Sequence, residues 1–157
     1  MSGRPSAGVV LFRRTSGGLE ILLAHMGGPY WAAKDEGAWS IPKGEYDEDE
    51  TPWETARREF AEEIGRPLPE GTVPVELGEI TQRGGKVVTA FGVEGDIDPD
   101  TASSNTFQLE WPPRSGQMRS FPEVDRVAWF TPDVAAGKAL AGQAELFERL
   151  SARLAGA

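Results

Sequence analysis

The sequence predicts an α/β fold, a mixed β-sheet covered by helices on both faces. Two observations carry that prediction. Apolar β-patterned runs come first, then a strongly capped helix, then further strands and a closing amphipathic helix, an order that suits a two-sided sheet. No repeat, low-complexity tract or interdomain linker interrupts the 157 residues, so residues 1–157 read as one domain large enough for a real core.

The elements follow in chain order. Residues before Ser6 are expected to be loosely ordered. Ala7 to Phe12 reads as a buried strand and Leu19 to Ala24 as its hairpin partner across Ser16-Gly17-Gly18. A Gly- and Trp-bearing loop runs from Met26 to Ser40, with a short strand at Trp39 to Ile41, and Pro42 to Glu50 reads as loop. Thr51-Pro52-Trp53-Glu54 opens a helix, with threonine at the N-cap, proline at the first helical position and glutamate three residues after the cap. Gly65 and Pro67 end it. Strands are expected at Leu77 to Gln82 and Lys86 to Val93 around Gly84-Gly85, then at Asn105 to Leu109 and Val124 to Phe130. Thr131-Pro132-Asp133 starts a short helical turn. The final helix, about Gly142 to Leu154, carries Leu146, Phe147, Leu150 and Leu154 at helical spacing.

Composition narrows the function. A net charge of −9 opposes binding to a long nucleic-acid backbone, which needs a basic footprint. No apolar run approaches the roughly 20 residues that span a bilayer, and the start lacks the apolar core of a signal peptide. The absence of cysteine excludes disulfides and thiolate metal sites and fits a cytoplasmic protein.

Much of the negative charge lies between Glu45 and Glu63. Glu59, Glu62 and Glu63 stand at i, i+3 and i+4 of the predicted helix, so they fan across one side of it. Trp53, Ala56, Phe60 and Ile64 form the apolar stripe, about 100° around the cylinder from the glutamates. The stripe can pack on the sheet while the glutamates face a cleft. Glutamates at this spacing repel one another unless something cationic lies among them. Carboxylate and carbonyl oxygens are hard ligands that suit Mg²⁺, with Mn²⁺ as a substitute, whereas zinc prefers His or Cys. The sharp turn at Gly44 and an ion pair between Glu50 and Arg58 complete the pattern.

Gly44, Glu50, Arg58, Glu59, Glu62, Glu63 and Gly65 together resemble the signature of the Nudix hydrolase superfamily: Gly, five residues, Glu, seven residues, then Arg-Glu-aliphatic-x-Glu-Glu-x-Gly-aliphatic. Arg66 departs from it where an aliphatic residue is usual. The resemblance implies an α/β/α sandwich and cleavage of a phosphoanhydride in a nucleoside diphosphate linked to another moiety, with Mg²⁺ between the glutamates and phosphate oxygens. It assigns Glu59, Glu62 and Glu63 as metal ligands, with the Gly44 carbonyl as a further one, and leaves Arg58 and Glu50 to support them. The general base is a glutamate of the helix or one on a later loop. Glu123, six residues before Trp129, is the loop candidate, with Glu94 and Glu110 behind it.

Trp39-Ser40-Ile41-Pro42-Lys43-Gly44 is similar to a Trp-x-x-Pro-Lys-Gly run in the dinucleoside-polyphosphate hydrolase branch of that superfamily. Lys43 is expected on a phosphate. His25 is a candidate substrate contact or a structural residue, and Tyr30 and Trp31 either stack on a base or close their loop. Arg114, with Arg119, either reaches a distal phosphate or solvates its Pro-rich loop. The expected substrate is a small nucleotide, a dinucleoside polyphosphate or a nucleoside triphosphate. The alternatives are a house-cleaning hydrolase of oxidised or non-canonical triphosphates, an RNA-end processing enzyme, and a domain that senses a nucleotide without cleaving it. Monomer and homodimer both remain open.

Overall fold

The computed structural model describes residues 4–156. Seven strands form one sheet. β1 (Ser6–Thr15), β2 (Gly18–Met26), β3 (Trp39–Ser40) and β4 (Lys43–Glu45) precede α1 (Pro52–Ile64), and β5 (Val75–Thr81) and β6 (Val87–Glu94) follow it. A separate two-stranded hairpin, β7 (Thr106–Glu110) and β8 (Met118–Pro122), leads into β9 (Val124–Phe130). α2 (Pro132–Lys138) and α3 (Ala144–Ala155) close the chain. The path through the sheet is β3-β2-β1-β6-β5, with β9 on β2 and β4 on β1. β1 and β6 run parallel and the other pairs antiparallel, so the sheet is mixed as expected.

The residue period of two along a strand divides the sheet's apolar side chains between two cores. Val10, Phe12, Ile21 and Leu23 point to the face covered by α2 and α3, where Leu146, Phe147 and Leu150 are buried. Ala7, Val9, Leu11, Leu22 and Ala24 point to the face covered by α1 through Ala56, Phe60 and Ile64. Trp53 finishes the predicted stripe with its ring 5.1 Å from that of Phe91. At the start of α1, the Thr51 hydroxyl accepts from the Glu54 amide and the Glu54 carboxylate accepts from the Thr51 amide, the predicted capping box. Gly65 ends the helix in the left-handed region at φ 90°, where a Cβ would also strike Ser103.

One edge of β1 is shared. Its last residues pair with β2, but Ser6, Ala7 and Gly8 pair with β4 instead. The segment from Trp39 to Glu45 therefore crosses from β2, where β3 pairs, to β1, where β4 pairs. It lies where the two strands part. Lys43 and Gly44 ride on this crossing piece, at the mouth of a split in the sheet.

Two expectations need correction. Lys43–Glu45, read as loop, is a strand, too short and too polar to show an alternation. Met118 and Arg119, read within a Pro-rich loop, belong to β8, which pairs with β7 from Thr106↔Pro122 to Glu110↔Met118. That hairpin is mostly exposed, so no buried face writes a pattern into its sequence. The expected looseness before Ser6 falls partly on residues 1–3, outside the described residues. Pro5 is tied down, since its carbonyl accepts from the Tyr46 amide at 3.0 Å.

Candidate active site

α1 presents its glutamates to β4 across the split. A Cβ at position 44 would fall on the Glu59 carboxylate, so only glycine lets that carboxylate lie against the β4 backbone. Arg58 organises the helix face. Its Nε and Nη2 donate to the two Glu50 oxygens at 2.9 Å each, the bidentate pair expected from the sequence. Its Nη1 donates to Glu59 at 2.8 Å and to Glu62 at 3.2 Å. Glu50 is fixed from its other side by the Thr55 hydroxyl, which donates at 2.9 Å. Hydrogen bonds from Arg58 and Thr55 hold the Glu50 carboxyl below its ordinary pKa.

Glu63 lies deeper and takes a hydrogen bond from the Lys43 amide at 3.2 Å. Burial, with the adjacent Glu59 charge behind it, pushes its carboxyl up to about 9. Burial also lowers the Lys43 ammonium, and the charge of Lys86 adds to that effect. Lys86 itself pairs with Glu45 at 2.5 Å.

The candidate donors, three carboxylates and the Gly44 carbonyl, are all hard oxygen, a chemistry that would fit a divalent ion. Gly44 leaves room for Glu59 against β4, and the upward shift of Glu63 is one that a nearby cation would reverse. Arg58 draws Glu59 and Glu62, while Glu63 takes the Lys43 amide and lies against Glu59. Among the described residues no three His, Cys, Asp or Glu side chains gather into a coordinating cluster.

A cavity of about 210 Å³ opens beside this face, lined by Lys43, Glu63, Glu123, Ser40, Met26 and Leu140. Glu123 enters it from the start of β9. Burial raises the Glu123 carboxyl, helped by the charges of Glu59 and Glu62, and Glu63 lines the same cavity. Glu94 and Glu110 sit elsewhere. Glu94 pairs with Arg14, and Glu110 accepts from the amides of Arg114 and Gly116 in its own hairpin turn.

The remaining candidates separate. His25 is buried, with Nδ1 on Asp125 at 2.8 Å and Nε2 on the Lys34 carbonyl at 2.6 Å. Both of its ring nitrogens are engaged within the fold. Trp31 lines a second groove, of about 510 Å³, with Gln82, Arg83 and Leu140, and Leu140 is common to both cavities. Tyr30 is exposed and packs edge-on to Trp111, 5.1 Å between centroids. That contact closes its loop onto the β7–β8 hairpin. Arg114 stands at the tip of that hairpin with φ 61°, and no contact ties it to the carboxylate face. Trp39 is core, with Nε1 donating to Asp35 at 2.9 Å.

Sequence reasoning missed Thr55, Asp125, Gln82 and Leu140. Thr55 is legible in retrospect, one turn beyond the N-cap and beneath Glu50. The others reach the site from distant parts of the chain and carry no local signal.

A NUDIX domain model matches residues 3–150. Similar solved folds include a C. elegans Ap4A hydrolase in a binary complex, 23% identical with a TM-score of 0.68, covering 97% of this chain and 99% of that one. The NUDIX domain of Shewanella oneidensis NrtR, complexed with ADP ribose, is 20% identical with a TM-score of 0.61, covering 98% and 90%. The M. smegmatis Nudix hydrolase RenU is 24% identical with a TM-score of 0.56, covering 99% and 88%. No curated protein matches.

Proposed function

We propose that this chain, which belongs to the NUDIX domain family, is a Mg²⁺-dependent pyrophosphohydrolase that cleaves phosphoanhydride bonds of small nucleotides. The substrate class is a nucleoside diphosphate linked to a further phosphate chain: a dinucleoside polyphosphate or a nucleoside triphosphate. One observation carries the reading. Glu63, an acid whose pKa is raised by burial and a like charge, lines one cavity with Lys43 and Glu123. Mn²⁺ is the expected substitute, and the cytoplasm the expected compartment. No helix among the described residues is long and apolar enough to cross a membrane.

Glu59, Glu62, Glu63 and the Gly44 carbonyl would hold the metal. When bound, it supplies charge neutralisation for the transferring phosphoryl group and an acidified water. Lys43 places a cation where phosphate oxygens enter the cavity. Glu123, its pKa raised toward the working range of a general base, accepts the proton of the attacking water. Arg58, fixed on Glu50, sets the orientation of Glu59 and Glu62 and touches no substrate. The groove at Trp31 adjoins the cavity at Leu140 and is wide enough for a nucleoside end.

A panel of dinucleoside polyphosphates and ordinary and oxidised nucleoside triphosphates, assayed with Mg²⁺ or Mn²⁺ and product identification, tests the proposal. A tetraphosphate-bridged dinucleotide is expected to give mono- and triphosphate, and a triphosphate to give monophosphate and pyrophosphate. No metal-dependent turnover on any member would leave the nucleotide-sensing alternative.

A further inference from the structure

We propose that His25 is a positioning residue with two arms, one holding Glu123 through Asp125 and the other holding the Trp31 loop through the Lys34 carbonyl. Its catalytic half presupposes Glu123 as the proton acceptor.

The first arm acts at an irregularity in the sheet. β2 and β9 pair in regular register from Ile21↔Phe130 to His25↔Arg126, and then Met26 pairs with Val124. Asp125 is therefore an extra residue on β9, a bulge between the pairs His25↔Arg126 and Met26↔Val124. A bulge re-aims the side chains beside it and bends its strand. Here the re-aimed neighbour is Glu123, two residues upstream, which lines the catalytic cavity. An unpaired bulge residue is free to shift unless something holds it. His25 Nδ1 holds the Asp125 carboxylate at 2.8 Å from within the core. The backbone next to it is fastened too. The Glu123 carbonyl accepts from the Gly27 amide at 2.9 Å, and Ser104 Oγ accepts from the Val124 amide at 3.0 Å.

The second arm leaves the other ring nitrogen. The Lys34 carbonyl lies 2.6 Å from Nε2, in the loop that carries Trp31. The loop has further ties close by. Asp35 accepts from Trp39 Nε1 at 2.9 Å and from Lys138 at 2.5 Å, and the Trp31 amide donates to the Gly28 carbonyl at 3.2 Å. Trp31 thereby stands in a fixed place on the groove that adjoins the catalytic cavity. A ring that is wholly buried, edge-on to Trp39 at 5.0 Å, makes a rigid link between proton acceptor and groove.

The arms can be cut separately. His25→Gln keeps an amide donor near Nε2 and loses the Asp125 contact. His25→Asn keeps one near Nδ1 and loses the Lys34 contact. With a tetraphosphate-bridged dinucleotide and Mg²⁺, His25→Gln and Asp125→Ala are expected to lower kcat about tenfold with KM unchanged. His25→Asn is expected to raise KM by a similar factor and spare kcat. Asp125→Asn, which still offers an acceptor to Nδ1, is expected to behave as the parent. In a Glu123→Gln background, Asp125→Ala is expected to change kcat less than twofold, because its path to the reaction is already cut. Melting curves establish that each variant is folded.

An equal loss from Asp125→Ala in both backgrounds overturns the first arm, and an unchanged KM in His25→Asn overturns the second. Normal turnover by Glu123→Gln overturns something different, the assignment of the proton acceptor, and the catalytic half with it.

Discussion

Replacing Glu63 with glutamine is expected to stabilise the metal-free protein while abolishing its activity. The glutamate is buried beside Glu59, and its carboxyl is pushed from 4.5 up to about 9. In the unfolded chain it ionises near the ordinary value. Below pH 4.5 both states hold the proton and the group contributes nothing. Between 4.5 and 9 the folded state alone keeps it, so stability falls as pH rises across that window, and it stays reduced above it. From 4.5 to pH 7, at about 1.4 kcal/mol per pH unit, the penalty is on the order of 3 kcal/mol. Glutamine cannot ionise, accepts the same hydrogen bond from the Lys43 amide and escapes the penalty.

The assay is urea denaturation in EDTA at pH 5, 7 and 8.5, comparing parent and Glu63→Gln. At pH 5 the two should differ by less than about 1 kcal/mol, and the gap should widen with pH. With Mg²⁺ in excess the order should reverse, because the ion stabilises only the chain that can ligate it. Mg²⁺ binding near pH 7 should also release about one proton from the parent, read as a dependence of binding heat on buffer ionisation enthalpy. A gap that stays constant from pH 5 to 8.5 would falsify the claim that Glu63 is neutral in the folded protein.

The other predictions are briefer. Glu59→Gln and Glu62→Gln should each lower turnover by orders of magnitude with melting curves intact, and EDTA should abolish turnover reversibly. Gly44→Ala should cost at least about a hundredfold in kcat, measured by phosphate-product release, because its Cβ displaces the Glu59 carboxylate. Arg58→Lys should weaken Mg²⁺ affinity about tenfold by calorimetry, since a point charge cannot make the fork on Glu50 and reach Glu59 as well. Phe60→Ala should cost about 3–5 kcal/mol in urea denaturation by emptying the core under α1.

How much of this was legible follows from which interactions are local. The α1 cap, the stripe from Trp53 to Ile64 and the Arg58–Glu50 pair lie within one helix and its lead-in, so spacing alone exposes them. The long strands were legible because burial forces a pattern on them. β4 is too short for any pattern, and β8 lies on an exposed hairpin where burial imposes none. Glu123 was legible only by resemblance. His25 was ambiguous as a lone histidine, because what decides its role, the Asp125 carboxylate, lies a hundred residues away.

The same distinction separates the metal face from the rest of the site. The helix supplies three carboxylates by periodicity, and nothing in that periodicity makes them reactive. What changes their chemistry is placed by the tertiary fold. The parting of β1 and β2 admits the Trp39–Glu45 segment, which lays the Lys43 amide on Glu63 and the Gly44 backbone beneath Glu59. The register shift at Asp125 lies two residues from Glu123, which lines the same cavity as Glu63 and Lys43. A helix with the same three glutamates on an unbroken sheet would carry ordinary surface acids. Here two irregularities in strand pairing surround a charged helix face with the groups on which the proposed cation binding and proton uptake depend.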